Sequence, residues 1–292
     1  MATKTPKRNS SVIKICTINI DGMSEKSRFC LDKYQDDNSF DCIAVQETRK
    51  ADIESISLCN MSAIIDSNNA LNHGAALYTQ DGHSIAKIEE ISQDYPNIDS
   101  CWGLVVINAT RIIVGSVYVK LGAANGISDV LSMLAKAQHI SNKLKSKGVI
   151  LVGDMNSRHQ SWGDHTSDVN GRKLFNSLDS TKFSIMTANS PTFLCDNLGK
   201  KGSSFIDLAI VSNSITKNIL KIETDTEVEL WSGAPSRGHV PVIISLQNQN
   251  PEHVPTVKKI SVKGIIWSDW ANDIEQEIEN TEYSQEDPER LL

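Results

Sequence analysis

The sequence predicts an α/β fold in which mixed β-sheets are covered by helices, an α/β sandwich. Three observations support this prediction: many short runs of branched apolar residues, few segments with helical periodicity, and a hairpin signal at residues 108–110. Strands joined by hairpins and accompanied by few helices are typical of sheets that pack against helices. The chain has 292 residues, which allows two domains, although a layered fold also reaches about 200–250 residues as one domain.

The strand predictions rest on β-branched and apolar runs that are bounded by turn residues. Residues 12–20 alternate branched side chains, and residues 148–154 form an apolar run between a glycine and a polar loop. The other predicted strands are residues 41–47, 62–66, 74–79, 84–91, 102–108, 111–119, 203–212 and 240–246.

The helix predictions rest on apolar residues that recur on one face. Residues 126–146 place Ile127, Val130 and Leu134 on the same face of an amphipathic helix. A second helix is predicted over residues 170–179, and the polar stretch 24–37 is compatible with a third. Beyond the last strand, the turn-rich segment that begins at residue 248 predicts a linker. We therefore expect a loose basic arm over residues 1–11, a folded domain over residues 12–247, and a linker with an acidic tail over residues 248–292.

The charge of the chain is unevenly distributed. The formal net charge is −7, which at first sight argues against a nucleic-acid partner. Residues 269–292 contain nine acidic residues and one basic residue, so that the other residues together have a net charge of +1. The acidity is therefore a property of the tail, and a nearly neutral body with local basic loops is compatible with weak, salt-sensitive binding of DNA.

The cysteines and the apolar segments indicate an intracellular, soluble protein. None of the six cysteines forms a CxxC pair or a zinc-finger spacing, so we expect free thiols in a reducing compartment. The most apolar region, residues 101–119, is interrupted by Asn108 and Arg111 and is interpreted as two strands, not a membrane span. No secretory signal follows the basic N-terminus.

Polar residues collect where the predicted strands end. Each of them alone is most simply a turn, capping or surface residue. Together, however, hard oxygen donors, amides, a tyrosine and an Asp/His pair suit a divalent cation and a phosphate. The residues concerned are Asn19, Asp21, Glu47, Tyr118, Asp154, Asn156, Asp207 and His239.

Five motifs that contain these residues resemble the endonuclease/exonuclease/phosphatase family, which includes exonuclease III-like AP endonucleases and DNase I. Two further segments are similar to the endonucleases of non-LTR retrotransposons. These segments are the stretch after GDMN, with its Trp162-Gly163 pair, and NSPTF (189–193). The five motifs, in chain order, are INIDG (18–22), QET (46–48), GDMN (153–156), SFID (204–207) and the Gly-His of SRGHVPV (236–242).

The resemblance implies the fold and the cofactor. The fold would be a four-layered α/β sandwich, with two mixed, mainly antiparallel sheets flanked by helices, as in DNase I and exonuclease III. The cofactor would be Mg²⁺, with Mn²⁺ as a substitute. Glu47 would be the main metal ligand, and Asp21 and Asn19 would help to hold the metal or its waters.

The resemblance also implies the catalytic roles and the partner. Asp154 would position or deprotonate the attacking water, Asn156 would bind the scissile phosphate, and Tyr118 would support the transition state. Asp207 would orient His239. The domain would nick double-stranded chromosomal DNA in the nucleus, and the 3′-hydroxyl would prime synthesis by a reverse transcriptase domain of the same polyprotein.

Basic residues in the loops are the candidates for DNA contact, although each of them is equally interpretable as ordinary solvated surface charge. Lys200, Lys201 and Arg237 are favoured because they lie in loops near the proposed site. The other candidates are Arg158, His159, Arg172 and Lys173.

One departure from the family pattern leaves alternatives open. The family usually has Ser-Asp-His before the last strand, whereas this chain has Arg237-Gly238-His239. The missing acid puts a second metal contact in doubt. Three alternatives stay beside the retrotransposon endonuclease: a repair AP endonuclease, a phosphatase or sphingomyelinase of the same fold, and a catalytically impaired module that binds DNA. Gly238 motivates the last of them.

Overall fold

The branched runs form strands and the amphipathic runs form helices in the computed structural model, which describes residues 11–66, 73–92, 95–123, 125–197, 200–226, 228 and 238–248. The strands are β1 (Val12–Asn19), β2 (Cys42–Gln46), β3 (Met61–Ile65), β4 (Ala75–Gln80), β5 (Ser84–Lys87), β6 (Ile98–Ile107), β7 (Thr110–Val119), β8 (Val149–Asp154), β9 (Phe183–Met186), β10 (Phe193–Asn197), β11 (Lys200–Ser204), β12 (Asp207–Ser212), β13 (Ile219–Thr224), β14 (Gly238–His239) and β15 (Val242–Gln247). The helices are α1 (Glu25–Asn38), α2 (Glu89–Ser92), α3 (Gly126–Leu144), α4 (Val169–Leu178) and α5 (Asn213–Thr216).

Two six-stranded sheets make up the centre of the fold. The first has the strand order β13-β15-β1-β2-β4-β3, and the second has the order β5-β6-β7-β8-β12-β9. Each is mixed and mainly antiparallel, since β1 pairs in parallel only with β2, and β7 only with β8. The predicted fold class is confirmed.

Apolar side chains divide the molecule into four layers. Ile15 and Ile244 of the first sheet share a buried cluster with Val114 and Ile150 of the second, so the two sheets pack face to face. A second cluster joins α1 to the outer face of the first sheet. A third joins α3 and α4 to the outer face of the second sheet. The helices therefore cover the sandwich on both sides, as the resemblance implied.

A three-stranded sheet, β11-β10-β14, was not predicted. It forms because the predicted strand 203–212 is interrupted at residues 205 and 206. The amide of Phe205 donates to Asp164 (3.1 Å) and the amide of Ile206 donates to the Thr192 hydroxyl (3.1 Å), so that both leave the ladder. The break separates β11 from β12 and places Asp207 at the first position of β12.

A second difference lies at residues 84–91, which were predicted as one strand. The strand β5 ends at Lys87, and α2 begins at Glu89. Ile91 of α2 is fully buried in the apolar cluster that covers the outer face of the second sheet, and Ile88 packs against the same cluster. Strands β9, β10 and β13 also lie outside the predicted set.

The described residues lie within one compact unit, Met1–Pro255. The predicted arm over residues 1–11 lies, apart from Ser11, outside the described residues, and so does the predicted tail beyond Asn248. In the part of the chain that the structure describes, no helix is both long and apolar enough to cross a membrane.

Candidate active site

The strand ends of both large sheets meet at one edge of the sandwich. In the second sheet, Tyr118 pairs with Asp154 and Asp154 pairs with Asp207, so three predicted site residues form one row across three strands. In the first sheet, Asn19 is the last residue of β1 and Glu47 follows the last residue of β2. Strand β12 runs antiparallel to β8. Asp207, the first residue of β12, therefore lies at the edge where β8 ends.

Asn19 connects the two sheets at this edge. Its side-chain amide donates to Glu47 Oε1 (2.8 Å) and to Asp154 Oδ2 (3.1 Å). All three residues are buried, so these hydrogen bonds act in a low-dielectric environment, where an unpaired carboxylate would be costly. The amide therefore fixes the separation between a carboxylate of the first sheet and a carboxylate of the second.

Three of the predicted site residues adopt left-handed backbone conformations. The φ angles of Asp21, Glu47 and Asn156 are 47°, 53° and 43°. Such values are uncommon for residues other than glycine and cluster at functional sites, because the surrounding structure must enforce them. Each of these residues directly follows a strand or lies two residues beyond it, where the turn aims the side chain into the shared edge.

The conformation of Gly153 brings β7 and β8 close together beneath the site. Its φ is +138°, and a Cβ atom at this position would lie 2.0 Å from the carbonyl oxygen of Val117. The glycine of the GDMN motif is therefore required by the close approach of the two backbones.

Asp207 holds His239 in a fixed orientation. The Nδ1 atom of His239 lies 3.0 and 2.9 Å from the two carboxylate oxygens of Asp207, and Nε2 lies 3.6 Å from Asp154 Oδ2. The ring of Phe193 meets the imidazole edge to face, with 4.8 Å between centroids. Nδ1 therefore carries a proton that is directed at Asp207, and Nε2 is turned to the catalytic edge.

The NSPTF segment supports this pair from the other side. The hydroxyl of Thr192 accepts hydrogen bonds from the backbone amides of Ile206 (3.1 Å) and Asp207 (2.9 Å). Thr192 is 1% exposed, so the two amides depend on it for their partners. The NSPTF segment thus positions the start of β12.

The carboxylates and the imidazole of the site have perturbed proton affinities. Burial raises the pKa of Asp154 above its ordinary value, and the neighbouring Asp207 carboxylate adds to the effect. Burial opposes the charge on His239, but the facing carboxylates of Asp207 and Asp154 outweigh it and raise the pKa of His239 to about 9. The imidazole is therefore protonated at neutral pH.

Glu47 is held in the ionised form. Burial opposes its charge, but hydrogen bonds from Asn19, Arg49 and His73 outweigh burial and lower the pKa of Glu47. Tyr118, opposite Asp154 in the next strand, has a raised pKa because it is buried and faces Glu47 and Asp154. It therefore presents a neutral hydroxyl, which is able to donate a hydrogen bond.

The side-chain oxygen atoms of Glu47, Asp21 and Asn19 are hard ligands of the kind that a divalent cation prefers. The Nη2 atom of Arg49 bonds to the carboxylates of both Asp21 and Glu47, which shows that both acids reach a common positive charge. The Oδ1 atom of Asn19 accepts a hydrogen bond from the backbone amide of Asp21 (3.0 Å), which holds the loop that carries Asp21 beside Glu47. The family is typically dependent on a divalent metal, and these residues fit one.

A second group has a geometry that is compatible with a cation. The ligand atoms of Asp154, Asp207 and His239 lie within 4.8 Å of one another, and this is the one group of three such residues found in the described ranges. Because Asp207 already engages His239 Nδ1 with both oxygens, only His239 Nε2 and Asp154 face the opening. We therefore regard the Glu47 side as the better fit to Mg²⁺.

Gly238 is a glycine for a conformational reason. Its φ is +117°, a conformation that an aspartate adopts only with strain. No carboxylate lies next to His239 in the chain.

Arg49 and His73 are site residues that were not predicted. Arg49 lies two residues after Glu47, and His73 directly precedes the predicted strand 74–79. Gln46 was also missed: its amide donates to Ser116 Oγ (2.9 Å) and so crosslinks the two sheets below the site. The position of Arg49 after QET was the available signal, whereas the His73 contact depends on the pairing of β2 with β4.

The candidates for DNA contact differ in their exposure and in the contacts that their side chains make. Arg158 is exposed, whereas the ring of His159 stacks on Phe175 with 4.6 Å between centroids and accepts a hydrogen bond from Ser161 N. The Lys173 ammonium donates to Ser128 Oγ (2.6 Å), and Arg172 donates to the Ser167 carbonyl. Lys200 and Lys201 have only their backbone described, in β11, and Arg237 lies outside the described residues. DNA contact by these residues stays a prediction.

A sequence model of one known family matches part of the chain. Residues 112–232 match the sequence model of the family described as endonuclease-reverse transcriptase. Among curated protein sequences, none matches this chain.

Solved structures share the fold at low sequence identity. The endonuclease domain of TRAS1, a telomere-specific non-LTR retrotransposon, is 16% identical, with a TM-score of 0.64 over 82% of this chain and 100% of that chain. An AP endonuclease from Leishmania major is 12% identical, with a TM-score of 0.64 over 81% of this chain and 88% of that chain. A mannosyl-6-phosphatase from Bacteroides thetaiotaomicron is 13% identical, with a TM-score of 0.56 over 80% and 98%. The resemblance to the endonuclease/exonuclease/phosphatase family is therefore confirmed, by the family match over residues 112–232 and by the hydrolase fold of the nucleases and phosphatases among its structural neighbours.

Proposed function

We propose that the chain is a divalent-metal-dependent endonuclease that nicks double-stranded DNA for a non-LTR retrotransposon. The observation that carries this proposal is the continuous hydrogen-bonded series from Glu47 through Asn19 to Asp154, with His239 beside it and Asp207 behind it. In this proposal Glu47 binds the cation, Asp154 accepts the proton of water, and the protonated imidazole of His239 lies beside them.

The reaction is the hydrolysis of a phosphodiester. The oxygen of a water molecule bonds to phosphorus, the bond from phosphorus to O3′ breaks, and O3′ leaves with a proton as a 3′-hydroxyl, while the phosphate stays on the 5′ end. A Mg²⁺ ion held by Glu47 and Asp21 would neutralise negative charge on the phosphate and on the leaving oxygen. Mn²⁺ has similar ligand preferences and is expected to substitute.

Asp154 is the residue suited to the attacking water. Its Oδ1 accepts from the Asn156 amide (2.9 Å), and its Oδ2 faces Asn19 and His239. A carboxylate with a raised pKa is a stronger base than an ordinary one, so it is matched to taking a proton near neutral pH. The orientation of its two oxygens is fixed by these contacts before substrate arrives.

His239 and Tyr118 are suited to the phosphate oxygens. In this proposal His239 Nε2, which lies 3.6 Å from Asp154 Oδ2, and the hydroxyl of Tyr118, which is paired with Asp154 in the sheet, supply donors where charge develops. The side chain of Asn156 donates to the Val119 carbonyl (2.8 Å), which holds this residue at the rim beside Tyr118. We assign Asn156 to phosphate binding.

The biological setting is part of the proposal. The family description joins an endonuclease to a reverse transcriptase, which supports a covalent link to such a domain, and the retrotransposon neighbour supports DNA as the target. The nick would expose a 3′-hydroxyl that primes reverse transcription, and this activity would take place in the nucleus. DNA contacts would come from Arg158, His159, Lys200, Lys201 and Arg237.

A panel of substrates tests the proposed substrate class. The purified chain with Mg²⁺ is given an intact DNA duplex, the same duplex with one abasic site, an inositol phosphate and sphingomyelin. We expect cleavage of the intact duplex and extension of the new ends by a DNA polymerase. Strong preference for the abasic duplex would replace the proposal by a repair enzyme, and release of phosphate or phosphocholine alone would replace it by an esterase of the same fold.

One observation favours a second candidate, a catalytically impaired module that binds DNA. Gly238 stands where the family usually has an aspartate, and its φ of +117° makes the substitution part of the backbone geometry. Metal-independent binding of the duplex, with no cleavage at any concentration of Mg²⁺ or Mn²⁺, would favour this candidate.

A further inference from the structure

We propose that His73 is a positioning residue that holds the metal-binding carboxylate of Glu47 and the phenol of Tyr118 in a fixed relation. The proposal rests on the proposed function, because it concerns the same cation and the same phosphate. It starts from two contacts of a single imidazole with residues of two different sheets.

The backbone of His73 is fixed beside the loop that carries Glu47. The carbonyl oxygen of His73 accepts from Arg49 N (2.7 Å), and the carbonyl of Gly74 accepts from Thr48 N (3.3 Å). These bonds extend the pairing of β2 with β4 beyond the end of both strands. The imidazole therefore projects from a backbone that is hydrogen-bonded to the residues directly after Glu47.

The first contact is a hydrogen bond to the carboxylate. The Nδ1 atom of His73 lies 3.0 Å from Glu47 Oε2, which also accepts from Arg49 (3.0 Å), while Oε1 accepts from Asn19 (2.8 Å). Donors on both oxygens fix the rotation of the carboxylate, as partners of metal-binding side chains commonly do. Of these three donor residues, His73 is the one that lies just before β4.

The second contact is between rings. The imidazole of His73 lies 4.7 Å from the ring of Tyr118, measured between centroids, at an interplanar angle of 34°. Tyr118 is 7% exposed and belongs to the second sheet, whereas Glu47 follows a strand of the first. One rigid ring thus contacts a residue of each of the two sheets.

The chain offers a matched control. His83 lies after the other end of β4, and its Nε2 atom is 3.0 Å from the carboxylate of Asp41. It is also a histidine bonded to an acid next to the first sheet, but neither partner belongs to the candidate active site. Its replacement tests what the loss of such a pair does to the fold alone.

Two substitutions separate the two contacts. In His73→Asn the side-chain amide replaces the Nδ1 donor and the ring is lost. In His73→Phe the ring is kept and the donor is lost, and His73→Ala removes both. Binding of Mn²⁺ is measured by calorimetry in the absence of DNA, and the cleavage rate is measured at saturating Mn²⁺ and DNA.

We expect His73→Ala to weaken Mn²⁺ binding and to lower the rate, each by about 10-fold or more, the range found for partners of metal ligands. His73→Asn should restore Mn²⁺ binding but not the rate at saturation, and His73→Phe should restore the rate but not Mn²⁺ binding. His83→Ala should leave both unchanged, whatever its effect on the melting temperature.

The proposal is overturned if His73→Ala binds Mn²⁺ like the wild type, or if Asn and Phe behave alike in both measurements. Should the wild type cleave no DNA at all, the proposed function fails separately. In that case, Mn²⁺ binding restored by Asn and not by Phe supports the role of His73 toward Glu47, and equal binding by the three variants refutes it.

Discussion

Asp207 is the largest contributor to the raised pKa of His239, the proton affinity on which the proposed reaction depends. Both carboxylate oxygens of Asp207 lie within 3.0 Å of Nδ1, so the acid fixes the tautomer, the orientation and the charge of the imidazole together. Asp154 lies on the other side of the same ring. A change at Asp207 should therefore alter catalysis without touching the substrate.

Replacing Asp207 by Asn tests this dependence. The variant keeps the shape of the side chain but removes the charge that raises the pKa of His239, so we expect a loss of about 10²–10⁴-fold in the cleavage rate, the range of proton-transfer contributions. Asp41→Asn, which alters the remote pair with His83, is the control. A nuclear magnetic resonance titration should show a lower pKa for His239, and an unchanged titration would refute the coupling.

The same pair predicts how stability depends on pH. The pKa of His239 is raised from the ordinary value of 6.5 to about 9 in the folded protein. Protonation of His239 therefore stabilises the fold fully below about pH 6.5, and this contribution is lost as the pH rises through about 9. We expect the difference in melting temperature between the wild type and His239→Gln to shrink over this range. A difference that grows with pH would contradict the assignment.

At the scale of elements, the site depends on the start of β12. Thr192 holds the amides of Ile206 and Asp207, and this contact separates β12 from β11. Strand β12, which begins at Asp207, is thus positioned by Thr192 in the segment before β10. This contact gives the NSPTF segment a structural role.

Substitution of Thr192 by Val keeps the volume but leaves two buried amides without an acceptor. We expect the free energy of unfolding to fall by about 1–3 kcal/mol or more and cleavage to slow, because Asp207 loses its anchor. Thr192→Ser keeps the hydroxyl and should retain cleavage. Chemical denaturation and the cleavage rate measure the two effects, and a Val variant equal to Ser in both would contradict the role of the hydroxyl.

Strand periodicity was sufficient to predict most of the elements that carry the site. The ends of β1, β2, β7 and β8 were predicted within a few residues, because buried branched runs change there to polar loops. The motifs then predicted which residues at the strand ends would lie together in one site. The structure brings these residues together at one edge of the sandwich.

Other features depend on contacts that are distant in sequence. The third sheet forms because Asp164 and Thr192 take hydrogen bonds from residues 205 and 206, and no local pattern encodes these partners. The position of His73 follows from the pairing of β2 with β4. Such contacts are invisible to periodicity, which reports only on a segment and its own faces.

At the scale of the whole molecule, the net negative charge is concentrated in one segment of the sequence. Residues 269–292 have nine acidic residues against one basic residue, whereas the other residues together have a net charge of +1. A negatively charged segment opposes the approach of the phosphate backbone at low ionic strength and is screened when salt is added.

Removal of residues 269–292 should therefore tighten binding of duplex DNA at low salt and have little effect at high salt. A chain of full length in which the nine acids are replaced by Gln or Asn controls for the length of the segment. Binding is measured by fluorescence anisotropy over a range of salt concentrations. Equal affinities of the three proteins at low salt would show that the tail has no electrostatic influence.

The most direct test of the endonuclease proposal is the nicking of supercoiled plasmid by the purified chain in the presence of Mg²⁺, beside Glu47→Gln, Asp154→Asn and His239→Ala. We predict that the wild type converts the supercoiled form to the nicked circle, that chelation of the metal stops the reaction, and that each variant is strongly impaired. Absence of nicking by the wild type at every concentration of Mg²⁺ and Mn²⁺, or nicking by the variants at the wild-type rate, would contradict the account.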